Sequence, residues 1–226
     1  MTDMSMRDEQ QGQALISDML TVSRESFHRL GIYVSLVRKW QPAQNLVASK
    51  TLGEIWVRHV ADSAQIFANY PQARHWVDMG SGAGFPGLVT AILLDDLGED
   101  YSVHMIESNG RKAAFLRTVA RELSLNVTVH NDRIESVLDG WDQPIDAFSA
   151  RALTSFANLC DFVRPYLSEG CVGVFHKGRD FDRELEEVSV SWDVDLIQKT
   201  SRTDPDARIV ILQNLSSKTH SDADAK

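Results

Sequence analysis

From Phe27 onward, apolar residues recur every three or four positions, at Phe27, Leu30, Tyr33, Val37 and Trp40. That spacing lays one apolar stripe along a helical surface and predicts an amphipathic helix between Ile16 and Trp40. A second helix is expected from Thr51: Thr51 and Glu54 have capping-box spacing, and Ile55, His59, Asp62 and Ile66 follow on one side. The first dozen residues, MTDMSMRDEQQG, are polar with scattered methionines and read as frayed. With no two-residue period in this lead-in, residues 1–70 are expected to form a helical extension.

The pattern changes at Trp76. WVDM, YSVHMIE, VTVHN, AFSARA and CVGVFHK read as successive short strands, and amphipathic stretches such as RKAAFLRTVARELSL fall between several of them. Alternation of strand and helix predicts an α/β, Rossmann-like domain over residues 71–215, its mostly parallel sheet covered on both faces. VDLIQKT and ARIVILQNL, joined by the polar SRTDPD, predict an antiparallel hairpin at one sheet edge. The polar tail SSKTHSDADAK, residues 216–226, is expected to be disordered.

The first strand runs into DMGSGAGFPG, Asp78 to Gly87. Glycines at 80, 82 and 84 permit positive φ or close approach of another group, and Pro86 suits the first turn of a helix. Such a loop presents free amides at the carboxyl ends of the strands, although a tight turn needed only for packing would look similar. Without a G-K-[ST] ending it is not a triphosphate loop; Gly82, Gly84 and Gly87 do match the dinucleotide spacing G-x-G-x-x-G. Asp78 argues otherwise, since a carboxylate there repels a pyrophosphate but pairs with the ammonium of an amino-acid-like ligand. The balance points to S-adenosylmethionine, whose adenosine, sulfonium and zwitterionic tail carry no phosphate. Glu107, ending the second strand, is placed to accept two hydrogen bonds from a ribose diol. Asp132, after the third strand, suits either an adenine amino group or a helix N-cap.

Composition narrows the setting. A chain of 226 residues, 43% hydrophobic, supports one full α/β core with a small extension. Cys160 and Cys171 have no closely spaced partner cysteines, which suggests neither a disulfide framework nor a zinc knuckle and fits a reducing compartment. No leader or long uncharged apolar run is evident, so a cytoplasmic protein without membrane contact is expected. The formal net charge of -9 means that any nucleic-acid contact must rest on a local basic patch. His59 and Asp62 lie three apart, but two ligands without a third make a weak metal site, so a local hydrogen bond is expected there and no metal.

Taken together, DMGSGAGFPG, ESNGRKAAFLR, the ARAL run from Ala150 and FHKG from Phe175, preceded by NLV and RHVADS, resemble the bacterial glucose-inhibited division protein B family. These are the small-subunit ribosomal RNA guanine-N7 methyltransferases, and the likeness spans roughly Asn45 to Leu212. It implies a class I S-adenosylmethionine-dependent methyltransferase fold, with guanosine 527 of 16S rRNA, in the 30S subunit or an assembly intermediate, as target. It also implies a cofactor site formed by Asp78, Gly80, Ser81, Gly82, Gly84, Phe85, Glu107, Ser108, the Asp132, Arg133, Ile134 and Glu135 corner, and Arg151. Asn45, Arg58, His59, Arg111, Lys112, Arg151, Lys177 and Arg208 are the implied RNA contacts, with Arg151 and Lys177 orienting the substrate; Arg58, Arg111, Lys112, Arg151, Lys177 and Arg208 are expected to form one basic patch. Phe85 is also expected to anchor the loop from beneath, and Trp40 and Trp56 to serve the core. The chain is expected to act as a monomer. Rival readings are a class I methyltransferase acting on another RNA, a small molecule or a protein, and a catalytically silent assembly factor.

Overall fold

The structure, a computed structural model, describes residues 3–167 and 170–218. It opens with two helices, α1 (Asp3–Met19) and α2 (Arg24–Gln44). The expected single stripe from Ile16 is therefore interrupted, and most of the expected frayed start is helical. The break has a local cause: Ser23 is the N-cap of α2 and its hydroxyl accepts from the Ser26 amide at 3.0 Å. The capping box at Thr51 also fails. Residues Ser49–Glu54 form a 3₁₀ turn, and the Thr51 hydroxyl donates to the Ala48 carbonyl instead.

A π-helical turn, Trp56–Ala61, then leads into α3 (Asp62–Asn69). π turns inside helices are often found at functional sites. Here the entry is held from outside, because the Asp8 carboxylate on α1 accepts from the amides of Trp56 and Val57 at 3.0 and 3.2 Å. Gly12, one turn later, lies against Trp56 so closely that a Cβ there would stand 2.7 Å from the Trp56 Cβ.

Seven strands follow in the spatial order β3-β2-β1-β4-β5-β7-β6. The strands β1 (His75–Met79), β2 (Ser102–Ile106), β3 (Val127–His130), β4 (Ala147–Arg151) and β5 (Val172–Lys177) are parallel. The strands β6 (Trp192–Thr200) and β7 (Arg208–Ser217) close the edge antiparallel, as the hairpin pattern predicted. Ser216 and Ser217 of the expected tail pair within this hairpin, and residues 219–226 lie outside the described residues. Between the strands run α4 (Gly87–Asp95), α5 (Gly110–Glu122), α6 (Ile134–Leu138), α7 (Phe156–Leu167) and α8 (Phe181–Ser189).

The strands alternate their apolar side chains between two cores. Trp76, Val103 and Met105 join Tyr33, Trp56 and Phe115 on one face, while Val77, Met79 and Ile106 join Phe156, Val163 and Phe181 on the other. The N-terminal helices thus share a core with the sheet. Chain order reverses at β1, which has β2 on one side and β4 on the other, so the loops at their carboxyl ends face a crevice.

Candidate active site

The glycine loop leaves β1 and doubles back under α2. Gly84 has a φ of 98°, and a Cβ on it would come within 2.4 Å of Leu88 and 2.9 Å of the Tyr33 hydroxyl. That hydroxyl donates to the Ala83 carbonyl at 2.7 Å, fixing the loop to α2. Phe85 is buried against Tyr33 and His59, with ring centroids 5.0 and 5.1 Å away, so it anchors the loop.

Two carboxylates brace the loop. Asp78 is 1% exposed; Oδ1 accepts from the Ser149 hydroxyl at 2.6 Å, and Oδ2 has no partner of hydrogen-bond geometry. Burial pushes its pKa up to about 6 against the help of Ser149, Ser81 and the Gly87 amide. Expected to meet a ligand's ammonium, Asp78 instead lies behind the loop, because β1 and β4 enclose its carboxylate. Glu107, expected to hold a ribose, is occupied as well: Oε2 accepts from the Gly82 amide at 2.8 Å and Oε1 from the Asn109 amide at 2.7 Å. A carboxylate has about four lone-pair sites, so acceptor capacity remains for a diol.

In front of the loop is a cleft of about 350 Å³. Gly80, Gly82, Glu107, Ser108, Asp132, Arg133, Ile134 and Glu135 line it, with Lys112, Leu153 and Thr154 also in the wall. Among the implied cofactor residues, Asp78, Ser81, Gly84 and Phe85 do not line this cleft, and neither does Arg151. Asp132 does not cap α6 through its side chain; its carboxylate accepts from the adjacent Arg133 amide at 2.7 Å and is otherwise exposed. The wall carries three acids, Glu107, Asp132 and Glu135, against two cations, Lys112 and Arg133, an acid excess that suits a nucleoside without phosphate.

A second pocket of about 250 Å³ lies beside the first and shares Leu153 and Thr154 with it. Arg58, Asp62, Arg151, His176, Lys177, Thr203 and Asp204 are among its lining residues. Asp62 is its hub: Oδ2 stands 3.4 Å from both Arg151 Nε and His176 Nε2, and Oδ1 accepts from the Thr203 hydroxyl and from Gln65. These neighbours, with His176 and Arg151 foremost, hold the Asp62 pKa low against its burial.

Hydrogen-bond accounting fixes the histidine tautomers. Arg151 Nη2 donates to the Arg58 carbonyl at 2.9 Å and to His59 Nδ1 at 3.0 Å, so Nδ1 carries a lone pair. His59 Nε2–H then donates to Thr51 Oγ1 at 2.8 Å, whose own proton goes to Ala48. Burial, and next the Arg151 charge, lower the His59 pKa to about 3. His176 Nε2 donates to the Asp62 carbonyl at 2.8 Å, and burial lowers its pKa too. His59 and Asp62 thus take part in a local network; among the described residues no group of three or more His, Cys, Asp or Glu is placed to hold a metal.

The six expected RNA-facing cations do not form one patch. Arg58, Arg151 and Lys177 line the second pocket, whereas Arg111 and Lys112 lie in the first turn of α5, with Lys112 in the wall of the first cleft. Lys177 is buried, its Nζ 2.6 Å from Glu184 of α8 and 3.3 Å from the Thr154 carbonyl. Arg208 is bound by the Asp182 carboxylate of the same helix. Two acids in the first turn of α8 thus pair with both cations. Asn45 closes α2 with φ at 48° and its amide on the Gln41 carbonyl, a capping role that accounts for its presence. Tyr33, His176, Thr203 and Asp204 escaped sequence reasoning, since each joins the site through a contact distant in the chain. Only Asp62 carried a signal, its spacing from His59.

Comparison with known proteins agrees with this geometry. Residues 26–208 match the family model described as rRNA small subunit methyltransferase G. A protein of Rhizobium johnstonii named ribosomal RNA small subunit methyltransferase G is 44% identical over 198 residues, covering 87% of this chain and 96% of that protein. One of the same name from Brucella canis is 43% identical, covering 88% and 92%. Among solved structures, a putative O-methyltransferase from Klebsiella pneumoniae superposes with a TM-score of 0.57 at 14% identity, over 89% of this chain and 95% of that one. The precorrin-6y C5,15-methyltransferase of Geobacter metallireducens gives 0.52 at 15%, covering 76% and 92%. The sheet order and these likenesses make the fold that of the class I methyltransferases, and no described helix is long and apolar enough to cross a membrane. With four-fifths of the chain matched and relatives this similar over nearly their full length, the chain belongs to the rRNA small subunit methyltransferase G family.

Proposed function

We propose that the chain methylates N7 of a guanosine in 16S rRNA, guanosine 527 of the 530 loop, with S-adenosylmethionine as donor. The observation that carries this is the pair of clefts meeting at Leu153 and Thr154: one suits a phosphate-free nucleoside, and the other is lined by a clamped arginine. When bound, S-adenosylmethionine supplies a methyl group on a cationic sulfur, which the in-plane lone pair of guanine N7 can take with no proton to remove.

The residues therefore need to place, not to deprotonate. Gly80 and Gly82 admit the donor close to the backbone, Glu107 keeps acceptor capacity for its ribose, and the corner from Asp132 to Glu135 lies where the adenine would sit. Arg151, held on three sides by Asp62, His59 and the Arg58 carbonyl, orients the base from the neighbouring pocket. A fixed cation that donates to O6 leaves N7 free; a donor on N7 itself would block the nucleophile. His59, neutral at physiological pH, accepts from that arginine without competing for its charge.

Purified protein mixed with labelled S-adenosylmethionine and naked rRNA, 30S subunits or 70S ribosomes tests the assignment. Label on guanine N7 of the small-subunit RNA is the expected result. Tight cofactor binding with no RNA labelled in any of the three would overturn it.

A further inference from the structure

Two polar atoms in the second pocket have no partner. Arg151 Nη1 and His176 Nδ1 are both buried, and neither makes a hydrogen bond. Buried orphans of this kind are uncommon and call for an explanation. The residues that carry them are neighbours: Arg151 and His176 are register partners on β4 and β5, both line the second pocket, and Asp62 Oδ2 lies 3.4 Å from Arg151 Nε and from His176 Nε2.

Their chemistry is opposite. A guanidinium nitrogen only donates, whereas His176, with its proton on Nε2 and directed at the Asp62 carbonyl, offers a lone pair at Nδ1. We propose that Arg151 Nη1 and His176 Nδ1 read the O6 and N1–H edge of the acceptor purine and so determine that it is guanine. This rests on the proposed function and adds the specificity-determining residue His176 to it.

Guanine presents an acceptor at O6 next to a donor at N1; adenine presents the reverse at both atoms. A site with one fixed donor beside one fixed acceptor thus admits guanine and leaves two buried groups unpaired against adenine. N7 lies on the other side of O6 from N1, so a base held by O6 and N1 keeps N7 free. Both nitrogens are screened from water, and a base reaches them only once the pocket rim opens. The partly exposed Arg58–Asp204 ion pair, 3.1 Å long and lining the same pocket, is the weak contact there.

The test replaces the target guanosine, in otherwise identical small-subunit RNA, by inosine, N1-methylguanosine or 2-aminopurine, and measures kcat/KM for methyl transfer by the full chain. Inosine keeps O6 and N1–H and is expected within about threefold of guanosine. N1-methylguanosine and 2-aminopurine are expected to fall by about a hundredfold or more. His176→Phe, which keeps a ring and removes the acceptor, is expected to lose most of the discrimination between guanosine and N1-methylguanosine. Its S-adenosylhomocysteine affinity, measured by calorimetry, stays unchanged. Should that variant not fold, the analogue series on the wild-type chain decides alone. Rejection of inosine as strongly as 2-aminopurine, or acceptance of N1-methylguanosine on a par with guanosine, overturns this inference and leaves the proposed function standing. If the wild-type chain methylates no guanine at N7 in any substrate, both fall.

Discussion

The guanidinium of Arg151 is fixed by groups on three sides, which makes its shape matter as much as its charge. Lysine offers a point charge and cannot span Asp62, His59 and the Arg58 carbonyl together. Arg151→Lys is expected to lower kcat for methyl transfer by about a hundredfold, the scale of losing one preorganised donor, with S-adenosylhomocysteine affinity within about twofold of wild type; equal losses in both would place Arg151 in the cofactor site instead. His59 makes a second residue-scale prediction, through pH. Its pKa falls from an ordinary 6.5 to about 3 on folding, so the unfolded chain binds more protons between those values. Stability from this residue is complete above pH 6.5 and is lost as pH falls towards about 3. Asp78 acts with the opposite sign between its ordinary 3.8 and about 6, so the comparison must isolate His59. Denaturant unfolding of His59→Gln against wild type across pH 4–7 should show a shallower acid loss in the variant; parallel curves would mean that folding does not lower the His59 pKa.

Elements carry these residues, and the loop between β1 and α4 is the most constrained of them. A methyl group on Gly84 needs a positive φ and meets both Leu88 and the Tyr33 hydroxyl. Gly84→Ala is therefore expected to cost about 2–4 kcal/mol, a sum of backbone strain and overpacking, and to weaken cofactor binding; a thermal melt and a titration check both. Tyr33→Phe is milder. It removes one buried bond to the Ala83 carbonyl and should cost about 1–3 kcal/mol, with the loss visible in cofactor affinity because the loop is what it tethers. The strand-loop-helix pattern was legible because glycines and a proline after an apolar run have few other uses. The roles of Asp78 and Glu107 were not: both were expected to face a ligand, yet Asp78 bonds Ser149 behind the loop, and Glu107 braces the loop and helix amides while keeping lone pairs to spare. A carboxylate at a strand end looks the same in sequence whether it holds a ligand or the loop that holds the ligand.

At the scale of the molecule, the mostly parallel sheet followed from alternation, and the antiparallel edge from two β-rich runs flanking a polar turn. What stayed hidden is long-range. Thr203 and Asp204 sit in that turn, yet they reach Asp62 and Arg58 across more than a hundred residues of chain. Nothing in SRTDPD marks it as a wall of the second pocket. The helical lead-in was expected as an extension with Trp40 and Trp56 serving the core, and Tyr33 and Trp56 do share a core with Trp76 and Phe115. The first cleft takes all its lining from residues 80–162, whereas the second also takes Asp62 from α3 and Arg58 from the π turn. That turn takes its first two amide bonds from Asp8 on α1, a helix lying before the part of the chain that matches the family model.

The connector between α1 and α2, Leu20 to Ser23, is consequently a place where one cut would separate two capacities. Nicking there frees the Asp8 carboxylate to leave Trp56 and Val57, while every residue lining the first cleft remains on the larger fragment. Limited proteolysis at this connector, followed by gel filtration under mildly denaturing salt to strip the short piece, is expected to yield a protein that still retains S-adenosylhomocysteine yet transfers no methyl group to RNA. In that form it would be a sink for the methyl donor, occupied and idle.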